Sequence, residues 1–259
     1  MGIKQELERF AEQVGFTLAY LDETTSTNDV ARDPRYDAGA VVIAERQSRG
    51  RGQRGNSWSS SAGANLTFSV VLCPGFLEAA QQFYLSKAVS LAVCDTVESF
   101  GVRPQVKWPN DIYIDGRKVA GILIENDLAG NFLSRSVVGI GINVNQTEFD
   151  PALPNPTSLA VAAGRKLDRA EVFRLFYEKM SFRYGQLQQQ RYAAMDTDYA
   201  ARLYRLGETH SFVDGRTKVR CEGTICGVLP TGELEVRHRD GQMHRYLFKE
   251  IEYTITGIG

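Results

Sequence analysis

The chain has 259 residues, 43% of them hydrophobic and 24% charged, which fits an ordinary globular protein with enough length for one large domain and a small appendage. A net charge of −1 excludes any bulk electrostatic pull toward nucleic acid or an anionic membrane, so a basic site must be local. No apolar run reaches the ~18 residues needed to span a bilayer, and Lys4, Glu6, Glu8 and Arg9 interrupt the first fifteen residues, unlike a signal peptide.

Ile3, Leu7, Phe10, Ala11 and Val14 recur at helical spacing, and Gly15 stands where a helix would end in a left-handed cap. A strand is predicted over residues 16–21. Thr24-Thr25-Ser26-Thr27-Asn28 is rich in N-cap residues and predicts a second helix start. Residues 41–44 and 65–72 read as strands. A helical stripe of Val89, Ala92, Val93, Val97 and Phe100 covers residues 86–100. Further strands are predicted over residues 105–108 continuing to 114, over 119–125 and over 136–145, with a hairpin turn at Asp115-Gly116. Residues 151–156 form a proline-rich loop, and Val172, Phe173, Phe176, Met180 and Tyr184 mark another helix. After about Leu206 the pattern changes to short alternating strands with turns at Asp214-Gly215, Thr231-Gly232 and Asp240-Gly241, which predicts a small β-barrel. The boundary is expected at residues 203–208.

The cysteines, Cys73, Cys94, Cys221 and Cys226, form no CxxC pair, and with three histidines in the chain a tetrahedral zinc site is not expected. Isolated buried thiols in a reducing, cytoplasmic setting are the expectation. The dense basic feature is Arg49-Gly50-Arg51-Gly52-Gln53-Arg54-Gly55. Its glycines allow close backbone approach to a ligand, and its arginines present planar forks suited to phosphate or carboxylate oxygens. A solvated surface turn is the plainer alternative. In Lys107-Trp108-Pro109-Asn110-Asp111, a polar trio sits at a bend enforced by Pro109, suited to a metal-bound phosphate through oxygen donors or simply to a capped turn. Lys118 stands at the entry to an apolar strand, where it would reach a buried oxyanion or snorkel to the surface. Gly139-Ile140-Gly141-Ile142-Asn143-Val144-Asn145 alternates glycines in a strand, a mark of close ligand approach or of a bulge, and places Asn143 and Asn145 on one face.

Together these segments, with Ser26-Thr27-Asn28, Gln47 through Trp58, Gly63-Ala64-Asn65-Leu66 and Lys118-Val119-Ala120-Gly121-Ile122-Leu123-Ile124-Glu125, resemble the biotin protein ligases, in family order over about 120 residues. The resemblance implies an α+β fold: a mixed β-sheet catalytic domain of the biotin/lipoate ligase type over residues 1–204 and a small C-terminal SH3-like β-barrel over 205–259. It implies ATP- and Mg²⁺-dependent formation of biotinyl-5′-AMP and transfer of biotin to a lysine of a biotin carboxyl carrier protein domain. It assigns Lys118 and Arg51 to catalysis. To biotin it assigns Ser26, Thr27, Asn28, Gln47, Arg51, Gly52, Gln53, Lys118 and Gly121. Arg49, Arg54, Trp58, Asn110 and Asn143 go to the nucleotide, and Asp111 to magnesium.

The family pattern is Gly-Arg-Gly-Arg-Arg-Gly, and Gln53 stands where its second arginine, thought to help retain the adenylate, is expected. With 25 residues before Ser26, too few for a helix-turn-helix domain, a ligase without DNA binding or membrane attachment is expected, as monomer or homodimer. The alternatives are a lipoate or octanoate ligase or transferase of the same fold, and a binding module built on the C-terminal barrel. In the latter, Lys218, Arg220, Arg237, Arg239 and Arg245 are offset by Asp214, Glu222, Glu233, Glu235 and Asp240.

Overall fold

A computed structural model describes residues 2–53 and 56–254. Helix α1 (Ile3–Val14) ends at Gly15 with φ 86°, the left-handed cap the sequence predicts. Strand β1 (Leu18–Thr24) leads to a five-residue helix α2 (Thr27–Ala31), followed by β2 (Val41–Gln47), β3 (Leu66–Leu72) and the long helix α3 (Phe83–Glu98). Strands β4 (Pro104–Lys107), β5 (Asp111–Ile114), β6 (Arg117–Ala129) and β7 (Phe132–Ile142) complete one sheet in the order β1-β2-β3-β7-β6-β5-β4. The β1–β2 pair is parallel and the other pairs are antiparallel, so the sheet is mixed.

The single strand predicted to run from residue 105 to 114 is two. Pro109 lacks an N–H to continue a ladder, and Trp108-Pro109-Asn110 instead forms the turn of a hairpin in which Lys107 pairs with Asp111. Asp115 and Gly116 take φ 48° and 74°, the positive pair a tight hairpin turn requires. β7 stops at Ile142, so Asn143 and Asn145 do not share a strand face as predicted. Their side-chain amides are taken by the following segment instead: Asn143 Nδ2 donates to Thr157 O, and Asn145 exchanges two bonds with the Leu167 backbone.

Helices α4 (Leu159–Ala163), α5 (Arg169–Gln188) and α6 (Tyr192–Arg202) follow; α4 and α6 carry no strong stripe and were not expected. Phe173 and Phe176 of α5 meet Phe68 of β3 edge-on, with ring centroids 5.3 and 4.9 Å apart, so α3 and α5 cover one sheet face. On that face β3 presents Leu66, Phe68 and Val70, and β7 presents Val138, Ile140 and Ile142. Period-two alternation sends Thr67, Ser69, Gly139 and Gly141 to the other face, where Val42, Val71 and Val137 form a small second core with Ala31 and Tyr36.

Strands β8 (Thr209–Asp214), β9 (Arg220–Val228), β10 (Leu234–His238), β11 (Met243–Tyr246) and β12 (Ile251–Tyr253) form an antiparallel sheet in the order β11-β10-β9-β8-β12. Among the described residues its ladder stays open between β11 and β12. Its inward residues Phe212, Ile225, Leu234 and Val236 belong to the same apolar core as the large sheet. Trp108 Nε1 donates to Gly232 O at 2.9 Å, tying the two sheets beside the β4–β5 turn. Only Cys94 of the four free thiols is buried, since Cys73 and Cys226 fall at exposed positions. No helix among the described residues is long and apolar enough to cross a membrane.

Candidate active site

On the face opposite α3 and α5 lies a cavity of about 420 Å³. Its floor exists because the inward positions there are small. Gly121 of β6 and Gly141 of β7 are register partners, and the indole of Trp58 lies over both. A Cβ on Gly141 would sit 2.2 Å from the Trp58 ring, so no side chain fits there. Trp58 Nε1 is buried without a hydrogen-bond partner among the described residues, a donor left for an acceptor that enters the cavity.

At the β2 end, buried polar groups form a chain. Gln47 Oε1 accepts from Thr27 N (2.7 Å) and Thr27 Oγ1 (3.1 Å), which leaves the Gln47 amide N–H groups for other partners. Ser69 Oγ lies 2.8 Å from Thr27 Oγ1 and 2.6 Å from Asn28 Oδ1. Asn28 Nδ2 then donates to Glu125 Oε2 at 2.8 Å. Gly139 makes this possible, because a Cβ there would stand 2.2 Å from Asn28 Oδ1. Arg51 grips Glu125 with both guanidinium nitrogens (3.1 and 2.9 Å) and touches Asp29 at 2.7 Å. Burial alone would raise the Glu125 carboxyl, but the Asn28 hydrogen bond and the charges of Arg51 and Arg32 outweigh it and hold the group below the ordinary value.

At the centre, Lys118 Nζ lies 2.7 Å from Asp111 Oδ1 and 5.8 Å from the centroid of the Trp58 ring. The backbone of Lys118 is clamped by the proline-rich loop: its N–H donates to Asn155 O and its carbonyl accepts from Thr157 N, both at 2.8 Å. Asn110 Nδ2 donates to Ile122 O at 2.6 Å, which spends its amide on holding the β4–β5 turn to β6 and leaves Oδ1 over. Beyond Asp111 stands Lys107, with Tyr113 and Tyr253 ring centroids at 5.2 and 5.0 Å. Burial depresses the Lys107 ammonium below the ordinary lysine value, against the opposing charge of Asp111. Ile251, Glu252 and Tyr253 of β12, with Phe248 just before that strand, close the far wall.

This cavity can hold an elongated ligand with a hydrogen-bonding head at β2 and an anionic centre at Lys118. Residues 18–143 match the biotin/lipoate A/B protein ligase family. A biotin–[acetyl-CoA-carboxylase] ligase of Paracoccus denitrificans is 35% identical over 234 residues, which cover 86% of this chain and 95% of that protein. The chain belongs to the biotin/lipoate A/B protein ligase family. A bifunctional ligase/repressor BirA of Bacillus subtilis is 37% identical over 178 residues, 65% of this chain. The chain spans about half the length of that relative, 54%. Among solved structures, a biotin protein ligase from Aquifex aeolicus in complex with biotin and ATP superposes with a TM-score of 0.78 at 26% identity, covering 93% of this chain and 99% of that one.

For this member of the biotin/lipoate ligase family, the structure brings most of the sequence-predicted residues together. Ser26, Thr27, Asn28, Gln47, Arg51, Gly52 and Gln53 line one part of the cavity, and Trp58, Asn110, Asp111, Lys118 and Gly121 line the rest. Two predicted nucleotide residues stand apart. Arg49 is exposed and does not line the cavity, its backbone N–H bonded to Thr25 O. Asn143 is buried with its amide donated to Thr157, so it supports the wall behind Lys118 and does not line the cavity. Arg54 lies outside the described residues. Sequence reasoning gave no role to Ser69 or Glu125, which organise the β2 end. The signal for Ser69 was available: with Thr67 it breaks an otherwise apolar strand at alternate positions.

Proposed function

We propose that this protein condenses biotin with ATP to biotinyl-5′-AMP and then transfers biotin to a lysine of a biotin carboxyl carrier protein domain. The observation that carries this reading is the single cavity joining a polar head site, a glycine floor under Trp58 and the Lys118–Asp111 pair. Biotin's apolar bicycle with one polar edge suits a site where Gln47, Thr27 and Ser26 supply the few polar contacts. The valeryl chain would run along the Gly121–Gly141 floor and bring the carboxylate to Lys118.

In the first step a carboxylate oxygen forms a bond to the α-phosphorus, and the bond from that phosphorus to the bridging oxygen breaks, its electron pair leaving on pyrophosphate. In the second, the carrier amine forms the amide bond, AMP departs, and the amine loses a proton. Neither step needs a covalent enzyme intermediate, so catalysis is positioning and charge stabilisation. Lys118 serves both, since negative charge gathers beside it on carboxylate and α-phosphate oxygens. Arg51 would exchange Glu125 for ligand oxygens, and its glycine-rich loop would shield the adenylate from water.

The described residues contain no group of three or more His, Cys, Asp or Glu side chains placed to hold a metal. Asp111, with one oxygen outside its bond to Lys118, and Asn110 Oδ1 fit a Mg²⁺ ion that enters on the phosphates, since Mg²⁺ keeps several waters and takes one or two carboxylates beside them. Bound there, it would neutralise phosphate charge.

The test is ATP–pyrophosphate exchange with biotin, lipoate or octanoate, followed by transfer to a carrier domain. Exchange driven by biotin alone is expected. Exchange driven by lipoate or octanoate would reassign the substrate, and none with any acid would refute adenylation.

A further inference from the structure

We propose that Lys107 holds the β- and γ-phosphates of ATP and therefore the departing pyrophosphate; this rests on the adenylation reading above.

The strand order sets the direction of the ligand. Gln47 is on β2, Gly141 on β7, Lys118 on β6 and Lys107 on β4, and the sheet runs β2-β3-β7-β6-β5-β4. With strands about 4.8 Å apart, the Lys107 strand lies two spacings, roughly 10 Å, beyond the Lys118 strand and away from the β2 end. A biotin carboxylate at Lys118 therefore has Lys107 on its far side, where groups beyond the α-phosphorus would lie.

Among the described residues, three of the four cationic side chains that line the cavity point the same way; the fourth, Lys249, has an interaction of its own. Arg51 is already paired with Glu125 and Asp29, and Lys118 with Asp111. Lys107 also lines the cavity, yet its ammonium stands over the ring faces of Tyr113 and Tyr253, with no carboxylate in ion-pair range among the described residues. Ring faces support a cation without neutralising it, and they leave the ammonium N–H donors for a stronger acceptor. A compact lysine charge is a standard phosphate partner. When the bond from the α-phosphorus to its bridging oxygen breaks, the electron pair and its charge pass to pyrophosphate, so a cation placed there acts most strongly as the bond breaks. Tyr253 belongs to β12, so the C-terminal sheet supplies half of the aromatic cradle.

The test compares Lys107→Met and Lys107→Arg with wild type. The Met variant should raise the KM for ATP and the inhibition constant for pyrophosphate roughly 10- to 100-fold, the scale of one charge-assisted hydrogen bond. The KM for biotin should stay within about 2-fold, and so should the affinity for a non-hydrolysable biotinyl-adenylate analogue, which lacks the β- and γ-phosphates. The Arg variant should recover most of the pyrophosphate affinity. Unchanged ATP and pyrophosphate constants, or an equal loss of analogue binding, would overturn the assignment. Should the Met variant fail to fold, reductive methylation of wild type read by mass spectrometry decides: inorganic pyrophosphate should protect Lys107, and no protection refutes the site. Absence of biotin-driven exchange in wild type would sink the adenylation reading itself, whereas normal exchange with unaltered pyrophosphate dependence in Lys107→Met sinks this assignment alone.

Discussion

The two faces of the seven-stranded sheet are made by the same strands and do opposite work. Toward α3 and α5, Phe68, Val138 and Ile140 interdigitate with Phe173 and Phe176 in a close-packed apolar layer. One residue along each strand, Thr67, Gly139 and Gly141 keep their side short and border the cavity, with Ser69 buried beside them. Because a strand alternates strictly, stability and chemistry are encoded at interleaved positions and should be separable by substitution.

The largest effect should come from the packed face. Phe68→Ala, at a fully buried site, is expected to cost about 3–5 kcal/mol in urea denaturation while leaving the affinity of the surviving folded fraction for biotin near wild type. A matching loss of affinity would mean that the faces are coupled. Lys118→Ala is the counterpart on the other face. Pyrophosphate exchange should fall about 10²- to 10³-fold, with biotin binding weakened but measurable by calorimetry and the melting temperature little changed. Full activity in that variant would remove Lys118 from the reaction.

Gly141→Ala sharpens the comparison on the floor. Its Cβ must displace Trp58, an overpacking cost of about 1–3 kcal/mol, read mainly as weaker ligand binding. Unaltered affinity would show that Trp58 moves freely off the floor.

A smaller effect tests the Glu125 hub through pH. Its carboxyl titrates below the ordinary value of about 4.3, so the stability it confers is complete above that value and is lost as pH falls through the folded-state value. The advantage of wild type over Glu125→Gln should therefore be constant near neutrality and close below about pH 4.3. An advantage that persists unchanged at pH 3 would exclude this ionisation as its source. The smallest change is expected from Gln53→Arg at the rim. An arginine there should lengthen the half-life of bound biotinyl-AMP, and equal half-lives would show that glutamine retains the adenylate as well.

Much of this arrangement was legible beforehand, for stated reasons. Local turn chemistry is carried by adjacent residues, so the Gly15 cap and the Asp115-Gly116 hairpin could be read directly. The strand supposed to run through Pro109 was misread because a hydrophobic run interrupted by a turn has the same period as one continuous strand. Asn143 was misplaced because whether an amide faces a cavity or a neighbouring loop depends on the residue opposite it, here Thr157, fourteen positions away. Ser69 was overlooked because its partners, Thr27 and Asn28, are about forty residues distant.

The sequence by itself determined the family, the α+β class, the small β unit after Leu206 and twelve of the residues that line the cavity, because motif spacing and hydrophobic period are local properties. Only the tertiary structure decided which charges are already paired. The Arg51–Glu125 and Lys118–Asp111 contacts, and the seating of Lys107 between Tyr113 and Tyr253, join segments separated by up to 146 residues through packing alone. Pairing depends on distances of a few ångströms between side chains, and those distances come into being when the β4–β5 hairpin and the C-terminal sheet close on each other around a shared core.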